Sequence, residues 1–322
     1  MNLRRLGAAI GPVAGLVAVY AVFALFGPSS FSTAANLETI ARQTAIVGAA
    51  ALGATLVIVA GGIDLSIGSI VACGTVVVAG LLAAGVPPFL AAAGGVAAGL
   101  LFGAINGLLV TRLRVGPFIV TLGTLLVIRG LAKGLAHEQK IDAPMTWLGD
   151  LLAQLSPERR WLLLPPGVWM VIVLAVGVAC LLRLSTFGRS AVATGSNEEA
   201  ARLSGIPVNA IKLGVYVLGG GFAGLAGVFQ FSRLTVGDPT VATGLELDVI
   251  AAVVIGGGSL AGGEGSVLGS LVGALIMTTI RSGCSQMGLA NWIQEIVTGG
   301  IIVGAVALDR LRRREGRGRG GA

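Results

Sequence analysis

The sequence predicts an all-α polytopic membrane protein of about ten transmembrane helices, with discontinuous helices and an internal repeat. Three observations predict it. Of 322 residues, 55% are hydrophobic and only 11% charged. Soluble domains carry about 25% charged residues, so lipid must be the solvent over most of this chain. Apolar runs of spanning length recur from end to end. Glycine supplies 52 residues and aromatics only 5%, a mixture that lets helices pack closely in a bilayer. The alternating segments and aromatic girdles of a membrane barrel are missing.

Taken in order, Arg4 and Arg5 precede an apolar run over 7–26. Its length suits an uncleaved spanning helix better than the shorter core of a signal peptide. Further runs fall at 43–60, 67–85, 89–110, 117–136, 162–182, 212–232, 248–261, 266–282 and 292–309. The chain reads as one transmembrane domain over 1–322, membrane-embedded over about 7–309, with a basic tail over 310–322. Basic residues test the orientation. Arg112 and Arg114 share one loop, and Arg183, Arg189, Arg202 and Lys212 share another. Arg310, Arg312, Arg313, Arg314, Arg317 and Arg319 crowd the tail. With about ten spans, all of these fall on the side of Arg4 and Arg5, so both termini are expected in the cytoplasm. The tail reads as a topology signal drawn to anionic membrane lipid, not as a nucleic-acid site.

Gly95, Gly99, Gly103 and Gly107 form an unbroken ridge at intervals of four, expected to be a helix–helix contact. Two Gly-rich breaks interrupt apolar runs. One is Gly61-Gly62-Ile63-Asp64-Leu65-Ser66-Ile67-Gly68-Ser69. The other runs from Gly256 to Ser266, and each carries an acid before a Gly-Ser pair. Paired breaks of this kind suggest a repeat built on discontinuous helices.

The most polar island is the stretch from Gly195 to Pro207. Ser196 reads as an N-cap with Glu199 three residues on, as in a capping box. Glu198 and Glu199 fall in the first turn, where the helix dipole favours negative charge. Gly205 suits the left-handed position after the last turn, and Pro207 stops continuation. A helix of about two turns is not stable alone and needs something to lie against. The bland alternative is an ordinary capped turn in a cytoplasmic loop.

No catalytic signature is present. His137 is the single histidine, so histidine-based metal sites and triads are excluded. No phosphate-binding G-x-x-x-x-G-K-[ST] pattern occurs, so ATP hydrolysis is not expected on this chain. No cofactor or metal is expected. Cys73, Cys180 and Cys284 are separated in apolar stretches without ligand spacing. Asp64 is the most conspicuous polar residue near the membrane. It either lines a pathway or caps the helix that begins at Leu65, and the two roles are compatible. Gly61, Gly62 and Ser66 surround it. Asn106 lies mid-span beside the glycine ridge and suits an interhelical hydrogen bond. Arg129 and Lys133 either snorkel outward or line a polar path. Glu246 and Asp248 are placed to serve a helix N-terminus.

With these residues in hand, the chain resembles the membrane permease subunit of bacterial ABC importers of the ribose/simple-sugar type. Glu199-Ala200-Ala201-Arg202-Leu203-Ser204-Gly205-Ile206 fits the E-A-A-x-x-x-G-I cytoplasmic motif of importer permeases. The Gly61–Ser69 stretch resembles the sugar-type signature. Pro117-Phe118-Ile119-Val120-Thr121-Leu122-Gly123-Thr124 and Arg129-Gly130 match the next segment, and the resemblance covers about 34–309. It implies a transport subunit of the bacterial plasma membrane, without enzymatic activity, that carries a small polar solute, a monosaccharide such as ribose. It implies separate cytoplasmic ATPase subunits that grip the helix at Glu198–Ile206. There Glu199 orients the helix, while Ala200, Ala201 and Gly205 allow close packing. It also implies a periplasmic or lipid-anchored solute-binding protein and a second permease subunit, as a homodimer. Competing readings are an ion-gradient-driven carrier, or an ABC permease for a nucleoside or branched-chain amino acid.

Overall fold

A computed structural model describes residues 3–113 and 115–318; Arg114 and Arg319, and the end of the expected tail, lie outside the described residues. Twelve α-helices follow one another among the described residues. They are α1 (Leu3–Phe26), α2 (Ala34–Val59), α3 (Ile67–Ala83), α4 (Pro88–Leu113), α5 (Pro117–Leu135), α6 (Pro166–Leu184), α7 (Thr186–Ser196), α8 (Glu198–Leu203), α9 (Val208–Leu234), α10 (Leu245–Ile255), α11 (Val267–Gln286) and α12 (Asn291–Gly318). Two short strands, β1 (Ile141–Asp142) and β2 (Val236–Gly237), pair antiparallel and are the only sheet among the described residues. The chain is a multi-pass, all-α membrane protein.

The expected number of spans is not established. Six helical stretches among the described residues are long and apolar enough to cross a membrane, those of α2, α4, α5, α6, α9 and α11. Residues 11–26 and α3 are shorter apolar helices. The run expected to span at 248–261 is instead the 11-residue α10, followed by an irregular loop from Gly256. At 1.5 Å per residue, α10 covers roughly 16 Å, about half a hydrocarbon core. α7 carries no clear signal in the sequence, being too weakly apolar to read as a span and too rich in Gly, Ser and Thr to read as a strong helix.

The core is organised on α2, α4 and α9. Residues 45–59 of α2 are buried without a break, so this C-terminal half of the helix sees protein on every side. The predicted glycine ridge of α4 packs on α9. A β-carbon at Gly99 would collide with the carbonyl oxygen of Gly220, and one at Gly220 with that of Gly99. Gly103 meets the carbonyl of Tyr216 in the same way, and Gly107 would lie 3.1 Å from the Tyr216 β-carbon. Apolar side chains are as comfortable in lipid as in protein, so such backbone proximity supplies the van der Waals contact that holds helices together. Gly269 and Gly273 of α11 approach Gly256, just past the end of α10, and Ala252 within it equally closely, whereas β-carbons at Gly300 and Gly304 of α12 would meet nothing within 4 Å. The outward face of α5, with Phe118, Ile119, Leu122, Leu126 and Val127, is apolar and exposed, as a lipid-facing surface should be.

The two Gly-rich breaks touch. The Gly263 amide donates to the carbonyl of Val59 at 2.9 Å. A β-carbon at Gly262 would sit 2.8 Å from the α-carbon of Gly61. A second discontinuity escaped the sequence reading. After β2 the chain runs back along α3: Gly237 abuts Thr75, Val76 and Ala79, and Ala242 and Glu246 reach Gly68 in the first turn of α3. α10 therefore starts beside the start of α3.

Candidate docking helix and buried helix break

The polar island forms α8, but with a different cap from the one expected. Ser196 is the last residue of α7, and its hydroxyl donates back to the Val192 carbonyl at 2.8 Å. The capping box of Ser196 with Glu199 does not form. Asn197, in extended conformation at φ −161°, is the N-cap, and its Oδ1 accepts the Ala200 amide at 3.0 Å. The physical reason is α7 itself: a residue closing one helix has helical torsions and cannot be the extended residue that opens the next. At the other end Gly205 takes φ +81°. The Ile206 amide bonds the Ala201 carbonyl and the Gly205 amide bonds that of Arg202, both at 3.1 Å. This pair is the Schellman closure, and it satisfies carbonyls that would otherwise lack donors.

Ala201 is the buried residue of α8. Glu198, Glu199, Ala200, Arg202 and Gly205 are exposed, Ile206 is half-buried, and Leu203 is 87% exposed. Leu203 is thus a single large apolar side chain left bare on an otherwise polar helix. Glu198 pairs with Arg202 one turn on at 3.1 Å and with Lys212 of α9 at 2.6 Å. The Lys212 hydrogen bond is the main reason that the Glu198 carboxyl is held below the usual carboxylate range. Lys212 was read from sequence only as a topology charge. Its pairing is invisible there because 14 residues and a helix start separate the two partners.

Asp64 lies in the other feature, the break between α2 and α3. It is 3% exposed, and Ser66 and Asn106 beside it are fully buried. Its Oδ1 accepts the Ser66 amide at 2.8 Å and the Ser66 hydroxyl at 2.6 Å. Ser66 Oγ in turn accepts Asn106 Nδ2 at 2.8 Å. Asn106 thus makes the expected interhelical bond. Asp64 organises the entry to α3 from two residues before Ser66, which occupies the N-cap position itself. The Ile63 carbonyl accepts Tyr216 and Thr121 hydroxyls, each at 3.2 Å. Asp64 Oδ2, Asn106 Oδ1 and Ser69 Oγ are buried without a partner among the described residues. Gly61 and Gly62 line a cavity of about 10 Å³ with Val57, Pro117, Lys212 and Tyr216, room for about one water.

Arg129 stands apart from this cluster. Its guanidinium donates to the carbonyls of Pro239 at 2.9 Å and Val241 at 2.7 Å. It pins the strap between β2 and α10 and neither snorkels nor joins Asp64. Lys133, one turn on, is exposed. Asp248 does more than serve its helix end: it pairs with Arg281 of α11 at 2.6 Å.

A bundle of apolar helices with glycine-mediated contacts, a helix broken within it and an exposed, doubly capped short helix define a polytopic helical membrane protein. The chain belongs to the family described as branched-chain amino acid transport system / permease component, whose model matches residues 36–306. It is 41% identical over 305 residues to the ribose import permease protein RbsC of Bacillus subtilis (strain 168), covering 94% of this chain and 93% of the relative. It is 38% identical to RbsC of Escherichia coli (strain K12), covering 92% of each chain. It is also 38% identical to the L-arabinose ABC transporter permease protein AraH of Azospirillum brasilense, covering 95% of this chain and 89% of that one. No solved structure matches the chain.

Proposed function

We propose that this chain is the permease subunit of an ATP-binding-cassette importer for a monosaccharide, with ribose the first candidate. The observation that carries this is the 41% identity to a ribose import permease over nearly the full length of both chains. The arabinose-permease relative keeps the solute class to sugars without settling which one. These named relatives favour a sugar over the branched-chain amino acid in the family's description.

In this reading α8 is the docking helix for a separate cytoplasmic ATPase. Its backbone groups are satisfied internally by Asn197 and Gly205, so it is shaped before it is bound. Leu203, Glu199 and Ala200 are left free to enter a groove. Two copies of the chain form the pathway, and a periplasmic or lipid-anchored binding protein delivers the solute to the face opposite α8. The protein sits in the bacterial plasma membrane with both termini and α8 in the cytoplasm, as one transmembrane domain over 1–322. ATP is hydrolysed on the partner. In this reading Asp64, buried at a broken helix with an unpartnered Oδ2, is the candidate polar group of the pathway.

The test is uptake of labelled ribose, arabinose and allose into proteoliposomes holding this chain with the ATPase and binding protein encoded beside it. ATP-dependent uptake of one sugar that requires all three components is expected. Uptake by this chain alone, driven by a proton or sodium gradient, overturns the reading. Gly205→Glu tests the docking helix: it is expected to release the ATPase while the permease stays folded in the membrane. Normal uptake and intact ATPase co-purification in that variant would remove α8 from the role.

A further inference from the structure

Between β2 and α10 the chain forms a strap that is not helical. Gly237 abuts Thr75 of α3, and Ala242 and Glu246 reach Gly68 at the start of that helix. From Thr75 to Gly68 the strap follows roughly 10 Å of an apolar helix, at 1.5 Å per residue. Ala242 at φ 58° and Gly244 at φ 80° keep it irregular. Arg129 of α5 holds the Pro239 and Val241 carbonyls, and the Thr75 hydroxyl bonds both the amide and the carbonyl of Asp238. The strap is held at these points and yet not covered. Thr240 and Thr243 are exposed, and Glu246 is half-buried.

At membrane depth, irregular backbone persists only where protein buries it or where it borders a water-filled cavity. Lipid does not suit two exposed threonines beside a carboxylate that makes no ion pair among the described residues. The chemistry on offer is also one-sided. The Thr240 hydroxyl donates to Asp238 Oδ1 at 2.6 Å, and that of Thr243 to the Thr240 carbonyl at 3.0 Å. Both protons are spent within the strap, so each oxygen has only acceptor capacity left. An ionised Glu246 is an acceptor as well. Three acceptors within seven residues suit a neutral solute that brings many hydroxyl donors, and they repel an anion.

We propose that the strap over 238–246 lines the aqueous passage, where Thr243 and Glu246 accept hydrogen bonds from the hydroxyl groups of the solute in transit. This rests on the reading of the chain as a sugar importer. The strap then has a role apart from α8 and from Asp64: it gives a polyhydroxyl solute replacements for the water it sheds, on a backbone that Arg129 and Thr75 keep in place.

Thiol labelling in lipid nanodiscs tests whether the strap is wet. The background is Cys180→Ala, which removes the exposed thiol; Cys73 and Cys284 are buried. Thr243→Cys is compared with Leu126→Cys, whose position on α5 is 68% exposed and apolar, using methanethiosulfonate reagents that do not enter lipid. Thr243→Cys is expected to react about ten-fold faster or more. A cationic reagent is expected to outpace an anionic one there by about five-fold, through the charge of Glu246. Glu246→Gln is expected to abolish that preference. In the complete importer in proteoliposomes it is expected to lower sugar uptake about ten-fold with the ATPase still bound. Labelling no faster than at Leu126→Cys overturns the proposal, as does a disulfide joining Thr243→Cys of two copies, which would mean that the strap packs on a second subunit. An unchanged charge preference or wild-type uptake in Glu246→Gln overturns the role of Glu246. If Thr243→Cys fails to fold, Thr240→Cys decides by the same comparison. Labelling needs neither sugar nor ATP, so the two readings fail separately. A wild-type complex that imports no sugar refutes the importer reading, and the solute contact with it, while the labelling still decides whether the strap faces water. Import by a wild-type complex whose strap is dry refutes the strap alone.

Discussion

The exposed helix α8 and the buried break over Gly61–Ser66 are both short stretches between longer helices, and they are held in opposite ways. α8 satisfies its own ends. Asn197 supplies an acceptor at the start and Gly205 a left-handed turn at the finish. The break cannot do this. The Ile63 carbonyl is satisfied from α9 and α5, and Ser66 is held between Asp64 and Asn106 of α4. Water can stand in for a missing partner around α8, but not around Asp64 in the protein interior. On the proposed reading of α8 as a docking helix, it should tolerate substitution and report it as lost docking, while the break should report it as lost stability.

The sharpest way to break this comparison lies in the core that positions both. Gly99→Val drives a branched side chain into the Gly220 carbonyl. It is expected to cost roughly 3 kcal/mol or more, seen as failure to obtain a monodisperse permease in detergent. A well-folded Gly99→Val protein would mean that α4 and α9 are not in backbone contact.

At the break, Asp64→Ala removes the acceptor for two buried Ser66 donors. It is expected to lower stability by about 1–3 kcal/mol, measured as a drop in the thermal midpoint with ATPase binding unaltered in the fraction that remains folded. Asp64→Asn keeps an acceptor and should fall by less. Equal stability in Asp64→Ala would show that the break is held without this carboxylate.

At α8 the effects are smaller and local. Gly205→Ala meets open space but keeps a positive φ. It is expected to cost about 1 kcal/mol, as is Asn197→Ala through the lost cap. Both should appear as faster hydrogen exchange confined to 198–206, with the global thermal midpoint nearly unchanged. A large global loss from either would place α8 in the core after all.

The smallest effect is the pH dependence of the Glu198–Lys212 pair. The folded carboxyl titrates below its ordinary value, chiefly through the Lys212 hydrogen bond. Its contribution is therefore complete above the ordinary carboxylate value and disappears as pH falls through the depressed one. Protection of α8 amides should be flat from pH 6 to 8 and weaken only in acid, modestly, because Glu198 is exposed. A change centred near neutrality would point to another group.

Much of this was legible in residue order because it follows from short-range chemistry. Lipid as solvent follows from the scarcity of charge. The ridge at Gly95, Gly99, Gly103 and Gly107 follows from the helical period, and the end of α8 at Gly205 and Pro207 follows from backbone torsion. Local grammar also misled where two local patterns competed: Ser196 and Asn197 both suit an N-cap, and only the extent of α7 chose between them. The rest required the third dimension. That the two Gly-rich breaks meet at Gly61 and Gly262, that Arg129 reaches the strap at Pro239 and Val241, and that α10 begins beside Gly68 all depend on partners far away in the chain. The sequence by itself determined the solvent of the protein, its helical class and the capped helix, since each depends on residues within a turn or two of one another. Only the tertiary structure decided which buried polar groups answer one another, because inside a bundle a hydrogen-bond partner is set by packing and not by distance along the chain.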